Sequence, residues 1–271
     1  MKMLDSLAIY ISSFDGYKDL WPAFFTIFDE YWSNCAFSKY LVNNEACFEH
    51  RGVTVIHFGR ETNWFERNLF ALEQLSEDYI MFFCEDYYLS RRVNNQDISE
   101  ILEYMSDNDI FFYQLSPAAN VVFPEQKHPY IGYAHAGKEY PANLQPSIWH
   151  RQTLIGLLKT IRGKTAWDFE YYCNAHEELF SIDNTGHLLG VRYDSRDLLG
   201  YKNGVLRGKW IPSTLRFYRN EEVAIETGDR QVMSSLDEVK YRIAAYISRH
   251  FPKAAKRIIK ASLQRLGIDY L

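Results

Sequence analysis

Residues 66–89 read ERNLFALEQLSEDYIMFFCEDYYL, and the periodicity changes within them. A helical pattern opens at Asn63, which reads as an N-cap with Glu66 three residues on, and runs to about Leu75. Tyr79-Ile80-Met81-Phe82-Phe83 is then a continuous apolar run of strand length, the pattern of a central strand buried on both faces. Glu85 and Asp86 follow it directly.

The same alternation extends outward on both sides. Leu7-Ala8-Ile9-Tyr10-Ile11 reads as a buried strand followed by the polar turn Ser12 to Gly16. A helix is predicted from about Leu20 to Tyr31, with Pro22 tolerated in its first turn. Short strands are predicted at Tyr40–Val42 and Val53–Ile56, a helix at Ile98–Met105 and a strand at Ile110–Leu115. This order predicts an α/β fold with a mostly parallel, Rossmann-like sheet and helices on both faces. Such sheets bind ligands beyond the carboxyl ends of their strands. Ser12 to Gly16 and Glu85-Asp86 both fall at such ends.

From Ser116 to Pro146 the chain is rich in Pro, Gly, His and Tyr without clear periodicity, and a loop of that length is a functional candidate. Helices return at His150–Ile161 and Trp167–Leu179, the stretch Asp194–Arg230 is irregular, and a helical tail begins near Leu236. The predicted division is a main domain over residues 1–235 and a C-terminal helical extension over 236–271.

Two acids after a buried strand hold negative charge where a sheet opens to solvent. They suit Mg²⁺ or Mn²⁺, which keep several waters and bridge to substrate phosphates. The plainer alternative is that they end the strand. With the helix that begins Arg67-Asn68, the segment resembles the nucleotide-binding half of inverting GT-A-fold glycosyltransferases of the family-2-like group. There, the last acid of a short acidic motif holds the metal that bridges the donor diphosphate. The corresponding triplet here is Cys84-Glu85-Asp86, which lacks the first acid and leaves Asp86 as the metal ligand.

The resemblance covers roughly residues 6–210 and implies further roles. Ser12, Ser13 and Asp15 stand where base and ribose are held, with Glu85 beside them. Arg67 stands as a contact to diphosphate or base. The stretches LQPSIWHRQTL and TAWDFEYY look like the acceptor half of bacterial surface-polysaccharide transferases, which implies a general base at Asp168, with Glu170 the close rival. Deprotonating a sugar hydroxyl as it attacks contributes roughly 10²–10⁴-fold. Gln145 is a candidate for sugar hydroxyls, and Trp149 and Trp167 for stacking on a sugar face or for the core. Arg207-Gly208-Lys209 reads as a diphosphate clamp or a solvated basic turn.

Charge bounds the partners. Between Val239 and Leu266 there are eight Lys or Arg and no acid, which leaves −13 for the rest of a chain whose net charge is −5. A body that acidic argues against nucleic acid. The tail repeats Phe251, Ala255, Ile258, Ile259, Leu263 and Leu266 at helical spacing beside its cations. That pattern suits an interfacial helix on anionic lipid or a helix packed on the domain.

The start lacks the pattern of a signal peptide, no run approaches the roughly 18 apolar residues of a spanning helix, and the four cysteines are scattered. A cytoplasmic enzyme is expected, at the inner face of the membrane. Its expected reaction is sugar transfer from a nucleotide-sugar donor to a glycan, lipid-linked acceptor. The rivals are a nucleotidyltransferase, and a catalytically silent, membrane-associated protein that binds nucleotide or glycan.

Overall fold

The computed structural model describes residues 6–60, 63–123 and 128–250. β1 (Leu7–Ser12) is buried along its whole length, and α1 (Trp21–Tyr31) returns the chain to β2 (Ser38–Asn43) and β3 (Val53–His57). α2 (Trp64–Glu73) leads into β4 (Tyr79–Cys84), and Glu85-Asp86 form the turn into the short β5 (Tyr87–Tyr88). After α3 (Asn95–Asp107) come β6 (Phe112–Gln114), β7 (Val121–Val122), β8 (Ile131–Ala134) and β9 (Ser147–His150). α4 (Arg151–Thr160), α5 (Ala166–Ala175) and β10 (Val191–Asp194) complete this part.

Nine strands form one sheet in the order β3-β2-β1-β4-β9-β6-β10-β8-β7. β2 and β4 flank β1 in parallel, with Tyr10 opposite both Tyr40 and Phe82, and β3 extends the parallel edge. β9 runs antiparallel to both β4 and β6, so β6 points the same way as β4, and β10 is parallel to β6. β8 is antiparallel to β10 and to β7. Seven strands therefore run one way and only β8 and β9 reverse. The predicted α/β fold with a mostly parallel sheet is the fold of the chain.

Strand alternation puts helices on both faces. Phe82 meets Trp64 of α2 (ring centroids 6.4 Å apart), while its neighbour Phe83 meets Phe24 of α1 (5.9 Å). On the α2 side, Trp64, Phe65, Trp149, Leu154, Leu158, Phe169 and Cys173 share a core with Ala8, Tyr10 and Ile80. The Asn63 side chain caps α2 by accepting from the Phe65 amide.

Two expectations need correction. The loop over 116–146 contains β7 and β8, and His150 ends β9 rather than opening a helix. β9 escaped notice because SIWH is four residues long and runs straight into a helix. The chain divides into two compact units between Lys202 and Asn203, and positions 235 and 236 lie in the second. The stretch expected to be irregular there holds a hairpin (Val205–Leu206 with Lys209–Trp210) and α6 (Pro212–Asn220). α7 (Ser235–His250) bears out the helical start of the tail, and positions 251–271 lie outside the described residues.

Candidate nucleotide and sugar site

The register gathers the sequence-selected residues at one edge of the sheet. Ser12 of β1 stands opposite Cys84 of β4 and Val42 of β2. Because β9 is reversed, its start lies at the same edge: Ser147 stands opposite Phe82 and Gln114. Leu144 and Gln145, just before β9, are thereby carried to where Glu85-Asp86 leave β4.

The loop after β1 is tied down by its own candidates. The Asp15 carboxylate accepts from the amides of Asn44, Glu45 and Ala46 at 3.0–3.2 Å, and the Asn44 side chain accepts in return from the Asp15 amide. Asp15 thus joins the β1 and β2 exits, and its acceptors are largely spent on backbone. Ser13 Oγ accepts from Trp21 Nε1 at 2.7 Å and supports the Glu85 carboxylate by a hydrogen bond. Ser12 Oγ is buried and has no hydrogen-bond partner among the described residues.

Arg67 is a second incompletely satisfied group at this edge. It is only 5% exposed, its Nε lacks a partner, and its guanidinium lies 6.0 Å from the Phe14 ring centroid. Among the described residues it forms no ion pair. Burial pulls its pKa down, and Tyr10, Glu85 and Asp15 pull it back up. Its neighbour Asn68 explains how it is aimed: Asn68 accepts from the Tyr10 hydroxyl at 2.9 Å and donates to the Trp64 carbonyl, which locks α2 against β1. An unpaired buried cation is costly unless a ligand anion completes it.

Glu85 stands near Arg67. Burial, with Asp86 beside it, pushes the Glu85 carboxyl up to about 8, and Ser13 and Arg67 offset only part of this. Glu85, Asp86 and Glu170 all act on the Cys84 thiol, which burial already raises well above its usual range, so the three carboxylates surround one side chain. Glu170 Oε1 accepts from the Leu144 amide at 2.8 Å, and burial raises its pKa too. Gln145 is half-buried in the same loop, where its amide donates to Asn143 Oδ1.

Asp168 takes a different role. Its Oδ2 accepts from the Lys164 and Thr165 amides and the Thr165 hydroxyl, each at 2.9 Å, in a capping box that starts α5 and holds its carboxyl below the usual range. The carboxylate is exposed and engaged with the helix end. Of the two candidate bases, Glu170 is the one built into the site.

Arg207 and Lys209 belong to the second unit, where both side chains are exposed and Arg207-Gly208 form the turn of the hairpin with φ of 51° and 74°. Trp149 is a core residue, fully buried with Nε1 bonded to Ser147 Oγ, whereas Trp167 is exposed. Sequence reasoning missed Gln114, a buried polar residue that accepts from Asn143 Nδ2 and donates to Ser116. The usable signal was a glutamine inside an apolar strand.

Among the described residues no three His, Cys, Asp or Glu side chains converge as a metal-holding group. Mg²⁺ and Mn²⁺ need only one or two carboxylates when substrate phosphates and water supply the rest. The adjacent Glu85 and Asp86 fit that need. A cation there would also offset the burial and the Asp86 repulsion that together raise Glu85.

No protein-family model matches the chain, and no characterised protein matches it in sequence. Among solved structures it is similar to S. aureus TarS, with a TM-score of 0.44 and 11% identity over 92% of this chain and 44% of that one. The chain thus spans less than half of that TarS chain. It is also similar to a cytidylyltransferase from Leptospira borgpetersenii (TM-score 0.43, 12% identity, 98% of this chain and 97% of that one). The bifunctional glycosyltransferase WbbM follows at a TM-score of 0.39 and 13% identity, over 62% of this chain and 37% of that one.

Proposed function

We propose that this chain is a GT-A-like glycosyltransferase that moves a sugar, with inversion, from a nucleotide-sugar donor to a hydroxyl of a glycan acceptor. The observation that carries the reading is the gathering of Arg67, Glu85, Asp86 and Glu170 about Cys84 at the carboxyl end of β4. A buried cation with an unfilled Nε suits the anionic donor, the adjacent Glu85 and Asp86 suit a metal, and the raised Glu170 suits a base.

In the proposed reaction Glu170 accepts the proton of the acceptor hydroxyl as its oxygen bonds to the anomeric carbon. The bond from that carbon to the diphosphate breaks on the opposite side, and the electron pair leaves with the nucleoside diphosphate. Ser12 and Ser13 stand beside the base and ribose, and Arg67 offers its charge to the diphosphate or the base edge. Asp86, with Glu85, would hold Mg²⁺ or Mn²⁺, which supplies positive charge to the leaving diphosphate. A nucleotidyl transfer would call for a glycine- and lysine-rich phosphate loop after β1. Ser13 to Leu20 instead holds one Gly and one Lys and is fastened through Asp15.

The acceptor we propose is a lipid-linked bacterial surface glycan, reached from the inner face of the membrane. No described helix is long and apolar enough to cross a membrane. α7, however, leaves Leu236, Val239, Ile243 and Tyr246 exposed at helical spacing, and the acid-free run of cations begins within it. An apolar stripe edged by cations supports reversible contact with anionic lipid.

A thermal-shift screen of nucleotide sugars with and without Mn²⁺ tests the donor half. Stabilisation by at least one donor is expected, with hydrolysis or transfer following. Glu170→Gln should then cut transfer by roughly 10²-fold or more while donor binding stays. Asp168→Asn should lower the melting temperature and leave turnover of the folded enzyme near wild type. Binding without any turnover would identify a silent binding protein, and the reverse mutant pattern would return the base to Asp168.

A further inference from the structure

We propose that the outward face of α5 is an acceptor subsite, an aromatic platform on which the pyranose rings of a neutral glycan stack. The inference rests on the glycosyl-transfer reading, whose acceptor it would bind. A helix lying on a core ordinarily turns apolar residues inward and charge outward. α5 is aromatic on both sides. Phe169 packs against Trp64, Phe65 and Trp149, while Trp167 is 66% and Tyr171 57% exposed.

Trp167 and Tyr171 are four residues apart, with ring centroids at 6.4 Å and planes inclined by 34°, so they form one strip. Asn174, another three residues on, continues the same face. Its Oδ1 accepts from the Tyr140 amide at 2.6 Å. Tyr140 has a φ of 52°, a left-handed conformation unfavourable for a tyrosine, and its ring too is exposed. The helix from Trp167 to Asn174 covers about 10 Å, room for more than one sugar ring.

A pyranose offers an apolar C–H face with hydroxyls at its rim. Tyr and Trp match it with an apolar body and a polar tip. Glu170 shares the helix, one residue before Tyr171, so a glycan on the strip would end beside the proposed base. Charge selects among occupants: residues 166–180 contain four acids and no Lys or Arg. An anionic lipid surface is repelled by such a helix and a neutral glycan is not.

Trp167 also provides the test. The other five tryptophans, Trp21, Trp32, Trp64, Trp149 and Trp210, are all buried, so acrylamide quenching of the full chain reports mainly on Trp167. Maltose-, cellulose- and chitin-type oligosaccharides at millimolar concentration should shield this fluorescence. Tyr171→Ala should weaken the shielding about two- to tenfold, the worth of one ring contact. Trp167→Phe should remove the quenchable signal. In a transfer assay Trp167→Ala should raise KM for the acceptor with kcat retained, while nucleotide binding stays at the wild-type level.

Unchanged quenching with every oligosaccharide would overturn the platform. So would shielding by phosphatidylglycerol vesicles alone, or shielding that follows protein concentration and marks self-association. Sugar shielding in a protein that binds no nucleotide would uphold the platform and refute the donor reading, so the two can fail separately.

Discussion

Replacing Glu85 with glutamine should flatten the pH dependence of this protein's stability. In the folded chain burial raises the Glu85 carboxyl from its ordinary 4.5 to about 8, with Asp86 adding to the effect. Between those values the native state holds a proton that the unfolded chain releases. Stability is therefore fully present below about pH 4.5 and falls as pH rises through about 8. One pH unit corresponds to about 1.36 kcal/mol, so the full gap is worth about 5 kcal/mol. Asp86 shares the titration, and a loss of about 2–5 kcal/mol is the working expectation. Urea denaturation in steps between about pH 5 and pH 8 measures it. Glutamine keeps the shape without the charge, so Glu85→Gln should retain only the smaller slope left by Glu170, whose pKa is also raised. Mn²⁺ at the two acids would favour their ionised forms and should flatten the wild-type slope as well. Equal slopes in wild type and variant would show that Glu85 does not carry the effect, and the account of this turn would be wrong.

Three other expectations concern separate parts of the molecule. Arg67→Ala should weaken nucleotide-diphosphate binding by about tenfold or more in calorimetry, and Arg67→Lys should not restore it, because a fork of donors is replaced by a point charge; undiminished binding would remove Arg67 from the donor site. Gly190→Ala should cost roughly 1–3 kcal/mol in denaturant unfolding, because φ is 76° there and a Cβ would sit 2.3 Å from the Phe111 ring. Unchanged stability would mean that the ring and backbone yield freely. Deleting the chain from Ser235 onward should abolish sedimentation with anionic vesicles while the first unit's melting transition persists; a lost transition would make the segment structural.

The parts of the fold that could be read from sequence are those whose burial is complete. β1 and β4 are buried almost throughout, so their apolar runs left little choice, and their order with α1 and α2 implied the parallel half of the sheet. β6, inside the strand expected at 110–115, was legible too, whereas β9 is only four residues long and β10 reads VRYD with Arg192 and Asp194 buried. Periodicity has nothing to work on at such lengths. Buried polar residues in β10 look like loop until Tyr113 and Arg196 are seen to satisfy Asp194. The site followed the same rule: the acids at the end of β4 were visible because a strand so apolar must stop, while the Asp15 links to Asn44, Glu45 and Ala46 join strands in a way spacing does not reveal.

The contrast between Asp168 and Glu170 shows where a motif's authority ends. Both acids lie in the first turn and a half of α5, and both are close to where a base is expected by resemblance. Asp168 stands three residues after Thr165, the spacing of a capping box, so its short side chain folds back onto the helix end and fills its acceptors there. Glu170 lies two residues further on, rotated about 200° around the axis. Its longer side chain meets Leu144 in the loop before β9, and it acts on Cys84 at the end of β4. Helix geometry therefore gives the two different partners before any substrate is considered: one carboxylate starts the helix, and the other is brought by that helix to the edge of the sheet. Around the helix axis Trp167 and Tyr171 lie between the two acids, so the strip they form borders Glu170 on one side and Asp168 on the other. A base at position 168 would leave the helix that carries Trp167 and Tyr171 in need of another cap.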